Sequence, residues 1–298
     1  MASAPTDSSR PVFRFAPSPN GRLHLGHALS ALTNEALERR FGGRLLLRIE
    51  DIDLTRCRPE FVEGIGADLE WLGIRFEPGF RRQSQHFDDY AAALAKLHQQ
   101  GLIYPCFCSR QEIRNAAAAR EAEAGQSWPV DPDGAPLYPG LCKGLDSGEA
   151  ERRIAAGAPH VLRLDMAAAI AASGRPLSYE VFDADDVRHS VPVAPERWGD
   201  VVLARKDVPT SYHLAVTVDD ASQGVSHVVR GRDLEAATDV HVLLQHLLGL
   251  PTPLYHFHRL LRDDGGQKLA KSRDSQSLGA LRDDGISAAE IRRQLGFT

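Results

Sequence analysis

Two histidines stand at the expected start of a helix, in His24-Leu25-Gly26-His27, just after the dense turn Pro17-Ser18-Pro19-Asn20-Gly21. A helix N-terminus offers free N–H groups and the positive end of the helix dipole, so phosphate binds there. The two imidazoles, three residues apart, can donate hydrogen bonds to the same anion, and Gly26 lets a base or ribose approach the backbone. Far along the chain comes Asp263-Asp-Gly-Gly-Gln-Lys268-Leu-Ala-Lys271-Ser272-Arg273. Only five of the 35 lysines and arginines are lysine, and two of the five stand here. Lysines so spaced in a glycine-bearing loop suit a polyphosphate, whose charge grows as pyrophosphate departs. Of the four cysteines, Cys106, Cys108 and Cys142 lie close together while Cys57 stands apart as a structural residue. Four cysteines in 298 residues do not make a disulfide framework, so the cluster reads as a metal site before a redox one.

The elements that must position these groups follow from apolar spacing. Val12 to Ala16 forms a short buried strand. Leu25, Ala28, Leu29, Leu32, Ala36, Leu37 and Phe41 recur at helical intervals until Gly42-Gly43 ends the pattern. A second strand, Arg44 to Ile49, runs into Glu50-Asp51-Ile52-Asp53. Strand, helix, strand is a βαβ unit, and parallel pairing leads to an open α/β sheet. Ligands of such sheets bind beyond the strand carboxyl ends, where 17–27 and 50–53 fall. Helices are expected over 59–72 and 87–100, then after Ser109, whose capping box with Glu112 opens an alanine-rich run ending at Gly125. Residues 126–144 are rich in proline and glycine and form a loop. Strands are expected again at 199–204 and 225–229, with a helix over 234–248. A last helix is capped by Ser287 and Glu290 and stapled by Ile286 and Ile291. No internal repeat breaks this order.

Composition sets the class. With 43% hydrophobic and 25% charged residues the chain is that of an ordinary soluble globular protein. No apolar run reaches the length of a membrane span, and the first residues lack the pattern of a secretory signal, so a cytoplasmic protein with no membrane partner is expected. A net charge of −5 argues against broad, sequence-independent binding to nucleic acid.

At this point a family resemblance emerges. Arg14-Phe-Ala-Pro-Ser-Pro-Asn-Gly21, His24-Leu-Gly-His27, Arg48-Ile-Glu-Asp-Ile-Asp53, Pro209-Thr-Ser-Tyr212, His227-Val-Val-Arg230-Gly-Arg-Asp and Lys268-Leu-Ala-Lys-Ser272 resemble, in order, the signature segments of glutamyl-tRNA synthetases. The histidine motif resembles "HIGH"; the lysine motif is a variant of "KMSKS". The resemblance implies a Rossmann-type parallel sheet that binds ATP with Mg2+, with His24, His27, Lys268 and Lys271 as catalytic residues and His24, Gly26, His27 and Lys271 on ATP. It also implies that Arg14, Phe15, Ala16, Pro17, Ser18, Glu50, Tyr212 and Arg230 contact L-glutamate. Their chemistry agrees: each arginine can grip a carboxylate in bidentate fashion, and Glu50 can pair with the ammonium. Tyr212 and Ser18 add neutral hydrogen bonds. Which arginine takes which carboxylate does not follow from the sequence.

Cys106-x-Cys108 followed by Tyr138-x-x-x-Cys142 resembles the zinc site of the glutamyl-queuosine tRNA(Asp) synthetases, a truncated branch of the same class. The resemblance implies one structural Zn2+ held by Cys106, Cys108, Tyr138 and Cys142. The interval from Cys108 to Tyr138 is longer than that branch leads one to expect, because the alanine-rich helix and proline loop fill it. The expected organisation is a first catalytic half over 12–104, an inserted zinc-containing α/β subdomain over 105–198, a second catalytic half over 199–257 and a short helical segment with the lysine motif over 258–298. So little chain follows Ser272 that no anticodon-binding domain is expected. The expected partner is then the queuosine-bearing anticodon stem-loop of tRNA(Asp), met by a monomer. Two rivals remain: a short conventional synthetase charging tRNA(Glu), and a non-catalytic synthetase-like protein that binds tRNA or an amino acid.

Overall fold

The computed structural model describes residues 10–261 and 276–297. Strand β1 (Val12–Phe15) enters the turn that precedes α1 (Leu25–Phe41), and Gly42, with φ of +61°, closes that helix in the left-handed region. Strand β2 (Arg44–Ile49) then returns parallel to β1, and α2 (Pro59–Trp71), with proline in its first turn, leads to β3 (Phe80–Arg82) on the far side of β2. Helix α3 (Phe87–Gln99) connects to β4 (Ile103–Cys106). Beyond it lie α4 (Arg110–Ala124), which has the expected capping box, and α5 (Ser147–Ala155), β5 (Val161–Leu164) and α6 (Met166–Ser173).

The chain next forms β6 (Ser178–Phe182) and β7 (Arg188–Pro192), then β8 (Val202–Ala204), α7 (Tyr212–Ser222), β9 (His227–Gly231), α8 (Thr238–Leu248) and β10 (Leu254–His258). Two short helices, α9 (Leu278–Asp283) and α10 (Ala288–Leu295), complete the described chain. The Ser287–Glu290 capping box is present, and Ile286 packs into the same cluster as the buried Ile291. No helix of the described residues is long and apolar enough to cross a membrane.

Among the described residues three sheets result: β1-β2-β3, β7-β6-β10-β9, and the antiparallel β4-β5-β8. The first two lie edge to edge. The Ser226 N–H donates to Val12 O at 3.1 Å and the Val12 N–H to Ser226 Oγ at 2.9 Å, which brings β9 alongside β1. The combined order β3-β2-β1-β9-β10-β6-β7 runs outward in both directions from β1 and β9, a doubly wound arrangement with its switch point between those strands.

Strand pairing does not follow the boundary expected at 198/199. β6 and β7 come from the segment expected to be an insertion, yet β6 pairs with β10 of the core sheet. β8 comes from the segment assigned to the second catalytic half, yet it pairs with β5 beside the cysteines. The reason is local. β7 is an edge strand with four of its five residues exposed, so it shows no alternation of apolar residues that would mark it as sheet.

The C-terminal helices pack back on the first half of the molecule. Leu278 N–H donates to Leu23 O at 2.8 Å, and Arg292 Nη2 meets Glu35 of α1 at 2.7 Å. Apolar side chains of α1, β1, β2, α2 and α10 form one continuous core cluster.

Candidate active site and metal centre

At the carboxyl ends of β1, β2, β9 and β10 opens a cleft of about 450 Å3. The structure brings Arg14, Phe15, Ala16, Pro17, Ser18, His24, Gly26, His27, Glu50, Tyr212 and Arg230 together in its wall. Lys268 and Lys271 lie outside the described residues. The described chain stops at Leu261, which lines the cleft, and by Ser277 it bridges His24.

His24 is the N-cap of α1. Its Nδ1 accepts the Gly26 N–H at 3.0 Å, and His27 Nδ1 accepts the His24 N–H at 3.2 Å. An imidazole nitrogen that accepts a backbone N–H carries no proton, so both rings hold theirs on Nε2, as the hydrogen-bond network assigns it. Gly26 has a nearer reason for being glycine than a ligand's approach: a Cβ there would stand 2.9 Å from His24 Cε1. Glycine makes room for the capping ring.

Of the arginines that line the pocket, Arg14 and Arg230 sit in different electrostatic settings. Arg14, buried on β1, places Nε 3.0 Å from Asp220 Oδ1 and Nη1 3.3 Å from Val229 O. Arg230, on β9 and equally buried, donates from Nη1 to His241 Nδ1 at 3.1 Å and from Nη2 to Thr238 Oγ1 at 2.6 Å. Its guanidinium also lies 5.3 Å from the Tyr255 ring centroid and 5.8 Å from that of Phe257. Arg14 is therefore matched by a carboxylate, whereas these partners of Arg230 are neutral.

Sequence reasoning missed the group that organises this floor. Arg48 on β2 is completely buried; its Nη1 meets Asp220 Oδ1 at 2.7 Å and its Nη2 meets Glu50 Oε1 at 3.2 Å. Burial opposes charge on Arg48, but Asp220, Glu50 and Asp219 outweigh it and raise its pKa. Asp219, one residue earlier on α7, accepts from Arg81 Nε at 2.7 Å, Gln83 Nε2 at 2.8 Å and the Tyr90 hydroxyl at 2.9 Å. One available signal was an arginine inside the apolar strand Arg44–Ile49, where a charge must find a buried partner. Glu50 is raised above the usual carboxylate range by burial, against the pull of Arg48 and Arg14. Burial also raises the Tyr212 phenol.

The cysteines meet at the end of β4. Cys108 Sγ lies 3.4 Å from Cys142 Sγ, and the Tyr138 hydroxyl lies 3.3 Å from Cys106 Sγ and 3.6 Å from Cys108 Sγ. All three sulfurs fall within 4.8 Å of one another. Zinc–sulfur bonds of about 2.3 Å in a tetrahedron make sulfur–sulfur edges of about 3.8 Å, and sulfur–oxygen edges slightly shorter. The donor set fits that geometry. Burial pushes the Cys108 thiol up to about 12, so a cation is what would make it a thiolate at neutral pH. Arg163 stacks 3.9 Å over the Tyr138 ring, and burial pushes that phenol up. Cys57 takes no part; it lines a smaller recess with Asp53, Arg56 and Arg205.

Comparison with known proteins shows the family to which this fold belongs. Residues 12–296 match the family described as tRNA synthetases class I (E and Q), catalytic domain. A glutamyl-Q tRNA(Asp) synthetase of Rhodobacter capsulatus is 46% identical over 291 residues, covering 96% of this chain and all of that protein. A second, from Nitratidesulfovibrio vulgaris, is 39% identical over 95% of this chain and 85% of its own length. Among solved structures, a glutamate-tRNA synthetase from Elizabethkingia anophelis superposes with a TM-score of 0.71 at 27% identity. The match covers 89% of this chain and 53% of that one, so the chain spans about half the length of the larger synthetase. The chain belongs to the class I tRNA synthetases of the E and Q type, and among these ligases to the glutamyl-Q tRNA(Asp) synthetases.

Proposed function

We infer that the protein uses ATP to activate L-glutamate as glutamyl-adenylate and passes the glutamyl group to queuosine in the anticodon loop of tRNA(Asp). The observation that carries the first step is the pairing, within one cleft, of Arg230 and Arg14 with Glu50 beside the α1 N-terminus. Glutamate brings two carboxylates and one ammonium, and Arg14, Arg230 and Glu50 in this wall match them in charge. Arg230, whose hydrogen-bond partners are neutral, suits the side-chain carboxylate, since its charge still needs an anion. Glu50 faces the ammonium.

No protein nucleophile is required. An α-carboxylate oxygen of glutamate attacks the α-phosphorus of ATP in line, the new P–O bond forms, and the bond to pyrophosphate breaks. His24 and His27 donate from Nε2 to phosphate oxygens, and Lys268 and Lys271 neutralise the leaving group. Magnesium accompanies ATP as the counter-ion of its phosphates. In the second step a hydroxyl of the queuosine cyclopentene diol attacks the activated carbonyl, and AMP leaves with the bonding pair. The support for queuosine as acceptor is full-length similarity to the Rhodobacter capsulatus protein, whose name states that activity. Cys106, Cys108, Cys142 and Tyr138 would hold one zinc, whose part would be structural, tying the end of β4 to the loop that carries Cys142.

Incubation with labelled glutamate, ATP and tRNA(Asp), with or without queuosine, tests the reading. Label should appear only on the queuosine-bearing RNA. Label on the 3′ end of tRNA(Glu) would support the conventional synthetase instead.

A further inference from the structure

A guanidinium buried among neutral partners needs an explanation, because a buried charge without a counter-charge is costly. Arg230 is 5% exposed, and its Nε meets no hydrogen-bond partner among the described residues. Two neutral acceptors hold it. Thr238 opens α8, and His241 follows three residues later on the same face of that helix. Arginine has no lone pair and keeps its proton, so His241 Nδ1 must be the acceptor at 3.1 Å. The His241 proton is then on Nε2, which donates to His213 Nδ1 at 3.2 Å. His213 in turn carries its proton on Nε2. The chain of donors has one direction, from Arg230 on β9 through His241 on α8 to His213 on α7.

The surroundings keep both imidazoles neutral. Burial, then the Arg230 charge, lowers His213 to about 4 and holds His241 well below its ordinary value. The Trp198 ring lies 5.5 Å from His213 and the Tyr212 ring 5.5 Å from His241, so the walls of the pair are aromatic. The contrast with Arg14 is direct, since Asp220 already answers the charge there.

We propose that Thr238, His241 and His213 are positioning residues for amino-acid selection, fixing the plane of the Arg230 guanidinium while leaving its charge for the ligand to satisfy. A ligand carboxylate completes the ion pair; the amide of glutamine brings no charge and leaves the guanidinium uncompensated. A carboxylate in the place of His241 would hold Arg230 as firmly and spoil the selection. The inference rests on the reading of the cleft as a glutamate site.

The test is pyrophosphate exchange by the full chain, with glutamate or glutamine as the amino acid, in the presence and absence of queuosine-bearing tRNA(Asp). His241→Gln, which can accept through Oε1 and donate through Nε2, should keep the KM for glutamate within about threefold of wild type. His241→Glu should raise that KM by ~10²-fold, leave the KM for ATP near wild type and shrink the preference for glutamate over glutamine. Thr238→Val, which keeps the shape and removes one acceptor, should raise the glutamate KM by ~10-fold and serves if His241→Glu fails to fold. Equal impairment of His241→Gln and His241→Glu, or an unchanged amino-acid preference in folded His241→Glu and in Thr238→Val, would overturn the proposal. A wild-type protein that exchanges with neither amino acid would instead overturn the glutamate reading beneath it.

Discussion

Arg14 and Asp220 form an ion pair of 3.0 Å with both side chains less than a tenth exposed. The same carboxylate oxygen takes Arg48 at 2.7 Å, so α7 grips both β1 and β2 beneath the cleft through one group. Burial alone would raise Asp220, but Arg14 and Arg48 overcome it and hold the carboxyl below its usual value.

Asp220→Asn should therefore cost stability before it costs chemistry. Leaving two guanidiniums without their shared anion destabilises by about 3–5 kcal/mol, the usual consequence of breaking a buried pair. Urea unfolding at neutral pH measures it. A loss below about 1 kcal/mol would mean that water or Glu50 replaces the carboxylate, since surface-like pairs contribute that little.

Among the proposed glutamate contacts, Arg230→Ala should raise the KM for glutamate by ~10²-fold while the KM for ATP stays near wild type, because a buried charge pair is lost on one substrate only. Steady-state pyrophosphate exchange separates the two constants. Equal changes in both would mean that Arg230 supports the fold of the cleft rather than the amino acid.

The metal centre makes a separate prediction. Protein purified without chelator should contain about one zinc per chain, as a single four-ligand site requires. Cys106→Ser should lower both zinc content and melting temperature, because metal affinity is folding free energy in such a site. Metal-free protein whose melting is unchanged by Cys106→Ser would reduce the cluster to three packed thiols.

The histidine pair gives stability a pH dependence. His213 has an ordinary value of 6.5 and is lowered to about 4 in the folded chain. Between those values the unfolded state binds the extra proton, so this contribution is fully present above pH 6.5 and is lost as pH falls towards about 4. The lowering corresponds to at most about 3 kcal/mol. His213→Gln should flatten the difference in unfolding free energy between pH 7 and pH 5 relative to wild type. An identical slope in the variant would assign the acid sensitivity to other groups.

Much of this architecture was legible because local signals agreed with the global fold. The apolar recurrence from Leu25 to Phe41 and the stop at Gly42 delimit α1 as observed, and the Ser109 and Ser287 capping boxes both open helices. The floor of the site was not legible. Arg48 meets Asp220 across 172 positions of sequence, and only the packing of α7 over β2 brings them together. The exchange of strands was hidden too, since β8 is three residues long and pairs with β5 in a different sheet from its neighbours in sequence. The role of Gly26 as the place where the His24 ring folds back needed the ring's position, which no motif carries.

The most direct measurement uses a queuosine-bearing anticodon stem-loop of tRNA(Asp) alone, with labelled glutamate and ATP. Single-stranded bases splayed from a stem are what proteins read specifically in RNA, and the stem-loop has no acceptor end to be charged. The isolated stem-loop should take up glutamate, and the same RNA with guanosine in place of queuosine should not. Labelling confined to intact tRNA with a free 3′ adenosine would contradict the transfer to queuosine.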